Sequence, residues 1–351
     1  MSMPTGRGRA RFEGCCQSEL ATPGGVLVLE MKRLAVFALL LGAQLWGQEQ
    51  TPVFGATSEL VLVDVQVLHV KTGIPAPVLR ASDFQIAEGG VAQQIVHFSR
   101  DEFPLSVVLL FDLTDSVRGV LKKLAEGAKT ALEHFKDGDE VAVMVYSGHV
   151  DLIDGFSKDR IHTVRAIEKA AALTSDEPAH FNEAMYQAAM ELHKADRPAN
   201  RRVIIWLTDN IPNVPYRTKK YPAHTEVEAV RALQEESVMV APILMKSRLW
   251  AVLEPMVRAP EAPFEKSFPP GDARKYAEWT GGEAVGLRGK RPEERLAQLI
   301  DELRARYTIG YRPSNAQPAG IFCKIHVELA PDGRLRPKEW RVLARQGYYR
   351  K

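Results

Sequence analysis

Val107–Phe111 reads VVLLF, apolar at every position. A strand with one wet face alternates apolar and polar side chains, so a run apolar at both parities must be covered on both sides. Val203–Leu207 (VIIWL) and Val238–Met245 (VMVAPILM) have the same character. Amphipathic stretches lie between them. Val117, Val120, Leu121, Leu124, Ala128, Leu132 and Phe135 form one helical stripe. Further helices are expected over 160–173, 182–195 and 226–236, and in DARKYAEWTGG and PEERLAQLIDELRARY. DGDE (Asp137–Glu140) turns the chain into two more strands, VAVMVYS and HVDLIDGF. Strands alternating with helices over 104–306 predict an α/β fold, with a doubly wound, mostly parallel sheet covered on both faces. The Pro-rich stretch Glu254–Pro270 reads as a surface loop.

The flanks are of another kind. Over 59–100, ELVLVDVQVLHV puts Val61, Val63, Val65 and Val67 on one face, and DFQIAEGGVAQQIVHFS gives two short strands around Gly89-Gly90. Over 307–351, YTIGYRP, IFCKIHVELA and EWRVLARQGYY return to β. Neither flank has enough strands to bury a core alone, so the two are expected to pair into one β-module beside the α/β unit.

The N-terminus reads as a leader. Met31 opens MKRLAVFALLLGAQLWGQEQ, a basic start followed by a short apolar centre and small residues, as in a secretory signal over 31–47. Its apolar run is shorter than the roughly 20 residues of a membrane span, so no stable span is expected in the mature chain. Residues 1–30 resemble neither signal nor domain and are expected to precede the true start. An exported chain, periplasmic or secreted, follows. Cys15 and Cys16 fall in that extension, leaving Cys323 alone, so no internal disulfide is expected. The balance of 46 basic and 44 acidic residues gives no field that would recruit nucleic acid.

The first buried strand ends in FDLTDS, with Asp112, Thr114 and Ser116 at alternate positions, and the strand VIIWLT ends at Asp209. In an open parallel sheet, ligands sit beyond the carboxyl ends of the strands. One carboxylate and two hydroxyls from one loop, with a second carboxylate converging, suit a hard cation that keeps water at its open positions. Such a site can take a partner's carboxylate as its last ligand. The same side chains would also serve simply as helix caps and loop acceptors.

DLTDS resembles the DxSxS signature of the von Willebrand factor type A domain, with Thr114 in the first Ser position, and WLTDN resembles that domain's later strand-Asp motif. The flanking DFQIAEGGVAQQIVHFS, YTIGYRP, GIFCKIHVEL and VLARQGYY are similar to the von Willebrand factor A-related family known chiefly from Acidobacteria, a likeness running from about Val61 to Tyr349. It implies a non-enzymatic, adhesion-type protein-binding module. Its ion would be Mg²⁺ (or Mn²⁺ or Ca²⁺), with Thr114 and Ser116 as ligands and Asp112 and Asp209 balancing charge directly or through water. The partner would be a protein presenting an acidic side chain. Two departures stand out. The family's loop threonine falls at Ala179, with Asp176, Glu177 or His180 as substitutes to consider, and its loop glycine is unmatched at Asp115.

Two other classes compete. A metal-independent assembly scaffold would keep the fold and lose the ion. FDLTDS also resembles the nucleophile motif of haloacid-dehalogenase-type phosphatases, but their acid position holds Thr114, a poor proton donor at neutral pH. EAVGLRGKR misses a phosphate-binding loop at Ala284 and Arg291. No catalytic residue is therefore expected. His193 and His180 read as surface residues.

Overall fold

The computed structural model describes residues 60–100, 103–177, 179–195, 200–210, 223–245, 272–287, 289–315 and 317–351. The expectations for residues 1–30, 31–47 and 254–270, and for Cys15 and Cys16, lie outside these residues.

The chain opens with β1 (Val61–His69), β2 (Phe84–Glu88), β3 (Val91–Gln93) and β4 (Ile95–Arg100). Gly89 and Gly90, with φ of 56° and 84°, form the tight turn between β2 and β3, where two successive positive φ values favour glycine. Then come β5 (Leu105–Asp112), α1 (Asp115–Leu132), β6 (Glu140–Tyr146), β7 (Val150–Ser157), α2 (Arg160–Ala172) and α3 (Phe181–His193). Next are β8 (Arg201–Thr208), α4 (Glu226–Glu235), β9 (Val238–Leu244), α5 (Ala273–Thr280), β10 (Val285–Gly286) and α6 (Pro292–Arg304). The chain closes with β11 (Tyr307–Tyr311), β12 (Phe322–Leu329), β13 (Trp340–Leu343) and β14 (Gly347–Tyr349).

The central sheet has six strands in the order β10-β9-β8-β5-β6-β7, parallel throughout except for β7, which pairs antiparallel at one edge. Its double covering follows from the pleat. Leu105, Val107, Leu109 and Phe111 pack with α1, α2 and α6, whereas Val108 and Leu110 pack with α3, α4 and α5. Every residue of β5 is buried, as an apolar run at both parities requires. The α/β fold class is that read from the sequence.

The flanks form two four-stranded sheets, β13-β1-β11-β4 and β14-β12-β2-β3, each mixing strands from both ends of the chain. They share an apolar core of Val61, Val63, Val65, Val67, Phe84, Ile309, Ile325 and Leu329 among others. Two details differ from the sequence reading. DFQIAEGGVAQQIVHFS makes three strands, because β3 and β4 join different sheets after Gln93. EWRVLARQGYY likewise breaks into β13 and β14, since Arg345 and Gln346 leave the strand and Gln346 N–H donates to the Trp279 carbonyl at 3.1 Å. Cys323 is a buried free thiol. No helix among the described residues is long and apolar enough to cross a membrane.

One ion pair joins the two ends of the chain inside the module. The buried Asp83 carboxylate accepts from Arg334 Nη2 and from the Arg80 amide, each at 2.7 Å. The Arg334 guanidinium, with further help from backbone amides, holds this carboxyl down at about 2 against the cost of burial. A depressed carboxyl stabilises the fold above its unfolded pKa, and that share is lost as pH falls from about 4 toward 2. Arg334 is half-exposed, so water screens the pair and only a small contribution is expected from it. Arg334→Ala should therefore lower urea stability at pH 6 slightly and bring no further loss at pH 2. An equal loss at both pH values would assign the effect to packing.

Candidate metal centre

Asp112 ends β5, and Asp209 follows β8 by one residue. These strands are adjacent and parallel. The chain continues from β5 to β6 on one side and returns through β8 on the other, so both carboxylates stand at the sheet's switch point, where loops diverge and leave a crevice.

Asp112 is fully buried and its oxygens are engaged from three sides. Oδ1 accepts the Thr114 amide at 2.9 Å. Oδ2 accepts the Tyr146 hydroxyl at 2.9 Å and the Thr208 hydroxyl at 3.2 Å. Tyr146 in turn accepts Trp206 Nε1–H at 2.9 Å, so a buried chain of donors fixes the carboxylate. Burial first, and then the charge of Asp209, push the Asp112 carboxyl up to about 6.

Thr114 is the N-cap of α1, yet its hydroxyl makes no capping bond. A threonine in that position ordinarily accepts from an amide of the first turn. Here Thr114 Oγ1 lies 3.3 Å from Ser116 Oγ, and Ser116 Oγ donates to Asp209 Oδ2. Ser116 is exposed and Thr114 half-buried, whereas Asp209 is buried. The arrangement is two hydroxyls opening to solvent above two buried carboxylates. Beyond Asp209, Asn210 takes a φ of 58°, tolerable for Asn, and its Oδ1 accepts the Ala273 amide at 2.8 Å.

The four residues singled out from the sequence are thus connected: Thr114 contacts Asp112 and Ser116, and Ser116 contacts Asp209. Residues of the third loop have contacts of their own. Ala179 is fully buried in the apolar layer with Val108, Leu110 and Tyr146. Glu177 pairs with His149 at 3.4 Å, and Glu183 accepts from the His224 amide and ring. His180 is buried, contrary to the surface reading, because its amide donates to the Ser147 carbonyl and the residue starts α3 against the sheet. His193 is exposed and pairs with Glu236 at 3.0 Å.

Sequence reasoning missed Tyr146 and Thr208. The signal was present, since a tyrosine at the end of a buried strand must find a partner for its hydroxyl. Among the described residues no three His, Cys, Asp or Glu side chains cluster as a metal site. Two carboxylates with two hydroxyls are a sparser oxygen set, of the kind a hard cation completes with water. The raised Asp112 carboxyl is consistent with a place where a positive charge would be stabilising, so the residues fit such an ion.

Residues 107–211 match the family model described as the von Willebrand factor type A domain. No curated protein matches the chain. Among solved structures, the conserved hypothetical protein BatB of Bacteroides thetaiotaomicron is similar at 16% identity, over 57% of this chain and 98% of that one, with a TM-score of 0.39. The von Willebrand domain of the type V pilus tip protein Mfa5 of Porphyromonas gingivalis is similar at 11% identity, over 57% and 95%, with a TM-score of 0.38. The pilus adhesin SpaC of Lactobacillus rhamnosus GG is similar at 8% identity, over 82% and 47%, with a TM-score of 0.40.

Proposed function

We propose that this chain is an exported binding module that captures an acidic side chain of a partner protein through a divalent cation, Mg²⁺ or else Mn²⁺ or Ca²⁺. Thr114 and Ser116 would hold the ion through their hydroxyls, and Asp112 and Asp209 would balance its charge. When bound, the ion supplies a positive face to which a carboxylate can add as a ligand. The observation that carries the reading is the Thr114 hydroxyl, which forgoes its cap and stands beside Ser116 above the two carboxylates. Asp112 is held by Tyr146, Thr208 and the Thr114 amide, so it acts as a fixed charge. The export leader, the Acidobacteria-type family and the division into 59–100, 104–306 and 307–351 belong to the same reading.

Calorimetric titration of Mg²⁺ and Mn²⁺ into the chain from Gln48 should give saturable heat, and Asp112→Ala should give none while remaining folded. Capture of an acidic partner should then depend on the ion and be lost with EDTA. Heat that survives in Asp112→Ala would remove this site from the account.

A metal-independent scaffold is favoured by one observation, the buried Ala179 in the apolar layer where the family's threonine belongs. That reading expects no heat from either protein and an unchanged melting temperature in EDTA.

A further inference from the structure

At the end of the central sheet opposite Asp112 and Asp209, a cleft of about 290 Å³ lies between the amino ends of β8 and β9 and the edge of β1. The edge is open for a definable reason. β1 pairs with β11 over Val61–Val65, but with β13 over Gln66–His69, and β13 ends at Leu343. Among the described residues no strand lies on the β13 side of Leu60–Asp64. The parity of the backbone is fixed by its neighbours. Val70 N–H donates to Glu339 on the β13 side, whereas His69 N–H donates to Ile74 on the other side. Even-numbered residues therefore turn their amides and carbonyls toward the cleft, and the Leu62 carbonyl there accepts Arg345 Nη2 at 2.7 Å.

The charges around this edge do not cancel. Asp64 is occupied by Arg201 at 3.0 Å, Glu236 by Arg202 at 2.8 Å, and Glu235 by Arg231 at 2.7 Å. Arg345 donates to neutral groups, the Ser237 hydroxyl at 2.6 Å and the Leu62 carbonyl, and lies 5.3 Å over the Tyr348 ring. Arg350 donates to the Asn315 carbonyl at 3.3 Å. Neither guanidinium is within ion-pair distance of a carboxylate among the described residues, although the Asp64 charge acts on Arg345, and both line the cleft. A strand edge unpaired among the described residues, beside two guanidiniums outside ion pairs, suits an extended chain that carries its own carboxylates.

We propose that this cleft takes an extended acidic segment of a partner protein as an added strand along Leu60–Asp64, with its carboxylates met by Arg345 and Arg350. Main-chain bonds to the Leu62 and Asp64 amides would set the register. Arg345 would exchange its bond to the Leu62 carbonyl for a carboxylate. The site is independent of the cation site and lies at the other end of the sheet.

The test uses the full chain in low salt with EDTA, which keeps any ion-dependent capture out of the reading. Three probes are used: a fluorescein-labelled pentapeptide alternating Asp and Val, its Lys-for-Asp counterpart, and inorganic phosphate as competitor. The acidic peptide should bind, the basic one should not, and Arg345→Gln with Arg350→Gln should weaken binding at least tenfold. Hydrogen exchange at the Leu62 and Asp64 amides of the unmodified chain should slow when the peptide is bound. Arg350→Gln alone touches one carbonyl contact, so it serves if the double variant does not fold, with a weakening of several-fold expected. Equal binding of both peptides, undiminished binding by Arg350→Gln, unchanged exchange at Leu62 and Asp64, or phosphate competing as well as unlabelled acidic peptide would each overturn the proposal.

Discussion

An Arg201→Met variant is expected to melt roughly 10 °C below the wild type. Arg201 begins β8, and its guanidinium is almost wholly buried where the two parts of the fold meet. Nη1 donates to the Leu303 carbonyl at the end of α6, and Nη2 to the Arg306 carbonyl and the Thr308 hydroxyl at the start of β11. Nε pairs with Asp64 of β1 at 3.0 Å. Methionine fills most of the volume and supplies none of these donors. The Asp64 carboxylate would stay three-quarters buried without its ion-pair partner, and the Leu303 and Arg306 carbonyls would each lose a donor, Leu303 keeping the Arg306 amide. Breaking such a pair from one side costs about 3–5 kcal/mol, chiefly from the charge left behind. The double variant Arg201→Met with Asp64→Asn should regain about half of the loss, because the stranded charge is gone and the amide oxygen can still accept from Thr308. Thermal and urea unfolding of the three proteins measure this. A single variant within 1 kcal/mol of wild type would mean that water reaches Asp64 and that the junction is held by apolar packing.

The contrast between the two parts of the fold shows what the sequence carries. The strands β5, β8 and β9 are legible because full burial leaves no polar residue in their centres, 107–111, 203–207 and 238–244, and the helices because one stripe of each faces the sheet. The acids at the ends of β5 and β8 then mark the candidate site without knowledge of any contact. In the β-module, strand existence is legible and pairing is not. A short half-exposed strand such as β3 or β14 carries too few residues to choose its sheet; each pairs with a near neighbour in the chain, β2 or β12, and those two are joined across more than 200 positions. Tyr311 and Tyr348 both donate to the buried Glu88 carboxylate, an arrangement set by tertiary contacts alone. The burial of His180 is likewise invisible in sequence, because it depends on the Ser147 carbonyl that receives its amide.

In the presence of EDTA, Asp209→Asn is expected to be more stable than the wild type at pH 7.5, even though it removes a residue of the proposed site. Asp112 has its carboxyl pushed up to about 6, by burial and then by the charge of Asp209. For a carboxyl whose folded pKa is raised, the native state binds the proton more tightly than the unfolded chain does. Stability therefore falls as pH rises from about 4 to about 6 and stays lowered above that. The whole shift corresponds to about 3 kcal/mol at neutral pH in the ion-free protein. Asparagine at position 209 keeps an oxygen for Ser116 and removes the second charge, so it should return about 1 kcal/mol of that penalty and flatten the profile between pH 4 and 6. Below pH 4 the two curves should converge, since Asp112 is then neutral in both. Added Mg²⁺ reverses the order. It should raise the melting temperature of the wild type at pH 7.5, as any ligand of the folded state does, and leave the variant where it was. If the two proteins share one pH profile in EDTA, the Asp112 shift comes from burial alone. A variant that gains as much as the wild type from Mg²⁺ would mean that Asp209 does not balance the ion's charge.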